Sequence, residues 1–169
     1  MTGMTAAARR PAPLAADAYE KELAVGAVLL LSVVVVALAR GHAHWGAVPG
    51  LVWAHLATIL VALALTPVML LRPRGDRSHR TLGKLWVAAM FLTAAITFWV
   101  RTSHPGHFSF IHILSLYVVV AAPMVWWTAR THRLAAHRGQ VRGMVTGALL
   151  IAGFFTLPFG RLLGGWLFG

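Results

Sequence analysis

The sequence predicts an all-α protein, an integral membrane helical bundle of five transmembrane helices, on three observations. Hydrophobic residues make up 59% of the 169 positions and only four side chains are acidic. Mean hydropathy is +0.73. The apolar residues also gather into five continuous runs separated by short basic or polar stretches. Charged residues amount to 11%, against about 25% in an ordinary soluble domain. Strands are disfavoured because the runs do not alternate, and in lipid only helices or closed barrels satisfy their backbone groups.

The elements follow in order. Residues 1–18, rich in Ala, Pro and Arg, read as a disordered cytoplasmic tail, and residues 19–169 as a single transmembrane domain. The runs are Leu23 to Ala39, Leu51 to Leu71, Leu82 to Val100, Phe110 to Ala129 and Val141 to Phe159. Each approaches the ~20 residues a helix needs to cross about 30 Å of hydrocarbon. Ala37-Leu38-Ala39 resembles a signal-peptidase site, and cleavage there would leave four spans. The long apolar stretch and the acidic flank of Asp17, Glu20 and Glu22 favour a retained helix.

The loops set an orientation. The stretches Arg72 to Arg80 and Arg130 to Arg138, with the N-terminal Arg9, Arg10 and Lys21, lie on one side of a five-span bundle. The positive-inside rule makes that side cytoplasmic in a bacterial inner membrane. Arg40, Arg101 and Arg161 fall at the outer ends, against twelve Lys and Arg inside.

Composition also excludes functions. The formal charge of +11 lies in clusters between apolar runs, the distribution of membrane loops rather than of a nucleic-acid surface, so no nucleic acid partner is expected. Without Cys there are no disulfides, thiolate ligands, iron–sulfur clusters or covalently attached haem. No Ser-His-Asp, His-Glu-x-x-His or phosphate-loop pattern occurs, which disfavours hydrolysis.

Nine histidines remain, and four of them mark the chemistry. His55 and His112 fall within the second and fourth runs, and His79 and His137 just ahead of the third and fifth, so that the four mark the last four runs near alternate ends. His55 lies about 6–9 Å inside its helix, followed on one face by Thr58, Ala62 and Thr66, a stripe suited to close helix contact or to a planar ligand. His112 has similar depth, so an outer site of His55 with His112 is open. His79 and His137 begin the third and fifth spans, each followed by Arg, and an iron held by these imidazoles with propionates on Arg80 and Arg138 would explain both residue types. The plainer alternatives are interfacial histidines for the inner pair and helix-bonded polar residues for the outer pair. His42, His44, His104 and His107 make the outer loops histidine-rich, open to zinc or copper or simply solvated.

Gly139, Gly143 and Gly147 predict a ridge for helix packing, with Gly153 beyond it. Pro67 and Pro123 predict kinks in the second and fourth helices. Trp45, Trp53, Trp126, Trp127 and Trp166, with Trp86 and Trp99, read as interfacial anchors. The second and fourth spans share an outer histidine, an inner proline and a following His-Arg pair, a rhythm that duplication of a two-helix unit or separate origin would both give.

Two resemblances follow from these residues. His79-Arg80-Thr81-Leu82-Gly83-Lys84-Leu85-Trp86, His55, His112, His137-Arg138-Gly139 and Pro158-Phe159-Gly160-Arg161 together resemble the bacterial membrane family called domain of unknown function 2306 (DUF2306), over about residues 50–165. That family implies no activity. The four-histidine layout is similar to that of di-haem transmembrane cytochromes b of the ascorbate-dependent type, which implies haem b pairing His55 with His112 and His79 with His137. The expected function is therefore a b-type haem-binding electron-transfer component of the inner membrane, with the lipid bilayer and redox partner proteins or a larger membrane complex as partners. A non-catalytic assembly or scaffold subunit and a histidine-based metal-handling or small-solute transport protein are the alternatives.

Overall fold

The structure is a computed structural model that describes residues 15–99, 110–158 and 160–169, with residues 110–112 described in backbone only. The greater part of the predicted tail, residues 1–14, lies outside the described residues, as do His104 and His107. Among the described residues the regular structure is all helical. Helix α1 spans Ala18–Arg40 and is followed by a 3-10 turn, His42–Ala47. Then come α2 (Gly50–Leu71), α3 (Arg77–Thr97) and α4 (Phe110–Arg130). The fifth run folds as α5 (Leu134–Gly143), a π-helical stretch (Met144–Ile151) and a single turn, α6 (Ala152–Phe154), before α7 (Leu162–Phe168).

Three stretches, Ala18–Arg40, Gly50–Leu71 and Ile113–Arg130, are long and apolar enough to cross a membrane. Helix α3 carries Arg77, Arg80 and Lys84 in its first turns, and α5 carries Arg138 and Arg142, so each combines a basic start with an apolar continuation.

Local chemistry sets the helix ends. Asp17 and Glu20 form a reciprocal capping box, in which the Glu20 N–H donates to Asp17 at 3.0 Å and the Asp17 N–H to Glu20 at 3.2 Å. Asp76 caps α3 by accepting from the His79 N–H, and Gly75 before it holds φ +94, a conformation that glycine adopts without strain. The turn between α4 and α5 places His132 at φ +54. At the far end of α1, a Cβ on buried Gly41 would stand 2.1 Å from the Trp166 ring, so glycine is what lets α7 dock on α1.

Packing makes a ring. Helix α2 lies against α1 and α3, α3 against α4, α4 against α5 and the π segment, and α1 closes the circuit against the π segment. The core is filled by Leu63, Val125, Met144, Val145 and Leu149. Outward, Leu29, Val36, Leu92, Leu116 and Phe154 are exposed, an apolar surface that suits lipid rather than water.

The α2–α3 seam is polar. The Trp86 indole N–H donates to Thr66 at 2.9 Å, Thr93 donates to Thr58 at 2.8 Å, and Thr97 lies 3.3 Å from His55 Nδ1. The small stripe predicted on α2 is thus occupied by α3, and Trp86 is buried in this seam rather than anchored at an interface. The predicted glycine ridge is also corrected: a Cβ on Gly139 or Gly147 would meet nothing within 4 Å, while Gly143 faces the Tyr117 hydroxyl and Gly153 faces Leu30. Helices α2 and α4 continue past Pro67 and Pro123.

Candidate functional site

The ring encloses a cavity of about 430 Å³ at its basic end, within the ~300–1,000 Å³ range of cofactor sites. Its apolar wall comes from Leu70 of α2, Trp86 and Val87 of α3, Val125 and Trp126 of α4, and Val141 and Val145 of the fifth run. Its polar groups are the two inner histidines, five cations and a single carboxylate: His79, His137, Arg74, Arg80, Lys84, Arg130, Arg138 and Glu20, with His132 beside them.

His79 and His137 face this common space although they begin different helices. The Val125 carbonyl accepts from His137 Nδ1 at 3.1 Å, which fixes the Nδ1–H tautomer and leaves the lone pair on Nε2. His79 Nδ1 is buried without a hydrogen-bond partner. Both rings lie outside the three apolar spans. Burial, followed by the nearby charges of His137 and Arg74, lowers the pKa of His79 below its ordinary 6.5. Burial lowers that of His137 as well, with Arg74 adding to the effect. Two neutral imidazoles on one apolar-walled cavity are the protonation state that metal ligation needs.

Glu20 organises the cations on one side. Its carboxylate, 1% exposed, receives Arg138 at 2.7 and 2.8 Å, Arg74 at 2.5 Å and Arg142 at 3.2 Å. Asp17 pairs with Arg142 and, at 3.1 Å, with Arg138. The Glu20 backbone N–H first, and Arg142 after it, hold the Asp17 carboxyl below its ordinary 3.8. The Ala15 carbonyl accepts from Arg74 at 2.9 Å and from Arg138 at 3.4 Å, so the last residues of the predicted tail belong to the packed structure. Arg138 is therefore engaged by acids, whereas Arg80 has no ion pair among the described residues.

The outer histidines are not gathered in this way. His55 is half-buried, and its Nδ1 meets Thr97, whose hydroxyl is bonded to the Thr93 carbonyl at 2.8 Å. His112 lies in α4, but its side chain falls outside the described residues. His42 Nδ1 bonds the Ala39 carbonyl at 3.0 Å and His44 is exposed. Among the described residues no group of three or more His, Cys, Asp or Glu side chains is placed to hold a metal ion.

Sequence reasoning reached the histidines, Arg80 and Arg138, and missed Glu20, Arg74, Arg142, Lys84 and Arg130. Asp17-x-x-Glu20 ahead of an apolar run is a readable capping signal. Its arginine partners lie 54 to 125 residues away in the chain, beyond any local spacing. Comparison with family models, curated proteins and solved structures finds no match to this chain.

Proposed function

We propose that the protein is a membrane-embedded haem b carrier that holds one haem at the basic end of the bundle, between His79 and His137. The observation that carries this reading is the meeting of these two histidines on one apolar-walled cavity, one with its tautomer fixed by Val125 and the other with a buried, unpartnered nitrogen. Arg80 is the residue to receive a propionate, since Arg138 is held by Glu20 and Asp17. When bound, the haem supplies a one-electron couple whose potential follows its ligands, burial and nearby charge. The chain's own part is to orient the His137 ring, keep both imidazoles neutral, exclude water with buried Trp86, and offset carboxylate charge with Arg80.

In this reading all five long helical stretches cross a bacterial inner membrane, with the basic end and the N-terminus cytoplasmic under the positive-inside rule. Electrons would be exchanged with a redox partner protein at that face. No second haem is assigned to His55, because the side chain of His112, its expected partner, falls outside the described residues. The scaffold reading draws support from the α2–α3 seam, where hydroxyls and His55 act as helix-to-helix contacts. Haem-to-protein stoichiometry of the purified, haem-supplied chain separates the two: one haem per chain is expected, and none would leave the scaffold reading.

A further inference from the structure

The cavity is closed on the side of α1, α2 and the π segment, where Glu20, Thr66, Leu70 and Val145 are buried. On the opposite side every one of Arg80, Lys84, Trp126, Ala129 and Arg130 is exposed. It opens, therefore, between the basic ends of α3 and α4. Lys84 follows Arg80 by four residues and Arg130 follows Trp126 by four, so each pair shares one helix face. Lys84 reaches across the groove, with its ammonium 5.8 Å from the centre of the Trp126 ring. One turn deeper, exposed Ala88 and Pro123 continue the two faces with small side chains.

Charge is uneven around this mouth. Arg74, Arg138 and Arg142 are met by Glu20 and Asp17, and Arg72 by Asp76. Arg80, Lys84 and Arg130 have no ion pair among the described residues, and of the chain's four acids only exposed Glu22 is left. Their counter-charge must come from outside the chain. Arg130 is the last residue of an apolar span, so these cations lie at headgroup level, where basic pockets between membrane helices take anionic lipid.

We propose that the α3–α4 mouth binds one anionic phospholipid, with its phosphate on Lys84 and Arg130 and its acyl chains along the groove past Trp126, Ala88 and Pro123. Such a lipid seals the cavity from the side, and its binding does not depend on what the histidines hold. The test is native mass spectrometry of the full chain released from mixed micelles of equimolar phosphatidylglycerol and phosphatidylcholine. Each cation contributes roughly fivefold to anionic-lipid preference, so the unsubstituted protein should retain phosphatidylglycerol over phosphatidylcholine by on the order of tenfold or more. The Lys84→Gln/Arg130→Gln double variant should lose the preference, while Lys84→Arg and Arg133→Gln should keep it, because Arg133 stacks on Trp127 away from the mouth. Retention of both lipids equally by the unsubstituted chain, or an undiminished preference in the double variant, would overturn the proposal. So would displacement of the lipid by inorganic phosphate alone, which would mark a site for small soluble anions. Haem content is read separately by colour, so loss of the cytochrome reading leaves this outcome intact.

Discussion

Glu20→Gln isolates the charge at the centre of the basic end. The amide keeps the shape of the side chain and an oxygen for the Asp17 N–H, so the capping box survives. What it removes is the carboxylate shared by Arg74, Arg138 and Arg142, leaving three guanidiniums gathered without their counter-ion. Breaking a fully buried pair costs about 3–5 kcal/mol. The partners here reach water with 12%, 24% and 27% of their side chains exposed, which reduces the expected cost to about 2–3 kcal/mol. At about 2–4 °C per kcal/mol for a chain of this size, the unfolding midpoint should fall by roughly 5–10 °C. Circular dichroism of the detergent-solubilised protein measures it, with Glu22→Gln as the control because Glu22 is exposed. Equal midpoints for the two variants would refute the assignment of Glu20 as the residue that ties α1 to α5 and to the α2–α3 loop.

Other consequences follow from the same geometry. Gly41→Ala places a methyl group in the Trp166 ring and should cost about 1–3 kcal/mol by overpacking, whereas Gly46→Ala, with open space around it, should leave the midpoint unchanged. Thr66→Val removes the acceptor for the buried Trp86 indole and should cost about 1 kcal/mol, part of which Trp86→Phe in the same chain should restore, as read in a double-mutant cycle. His79 and His137 have folded pKa values below the ordinary 6.5, so the unfolded chain binds more protons at mildly acid pH. Their contribution is complete above about pH 6.5 and is lost as pH falls through the folded values. A His79→Gln/His137→Gln variant should accordingly show a shallower decline of the midpoint on acidification than the unsubstituted protein, and equal slopes would contradict the burial of the two rings.

Helix positions were legible because continuous apolar runs in a chain with four acids leave few other folds. The starts of α3 and α5 were less so, because helix continues several residues into basic sequence, where Asp76 caps one of them and no hydropathy signal operates. Spacing failed at Gly139 and Gly147, where a Cβ would meet nothing within 4 Å, because which face of the fifth run meets a neighbour is set by the ring of helices and not by the run itself. The small stripe from His55 to Thr66 suits close helix contact or a planar ligand equally by sequence, and only the fold shows that Thr93, Thr97 and Trp86 occupy it. For the candidate site, residue type singled out His79 and His137. Their meeting on one cavity depends on closure of the ring between α1 and the π segment, and the order of helices around a bundle is not written in spacing.

The most direct test of the haem reading is a reduced-minus-oxidised visible spectrum of the detergent-purified, haem-supplied chain, repeated for His79→Ala, His137→Ala and His55→Ala. The reading predicts b-type bands in the unsubstituted protein, their loss in each inner variant and their retention in His55→Ala. A colourless folded protein, or bands that vanish with His55 and persist without His79 and His137, would contradict it.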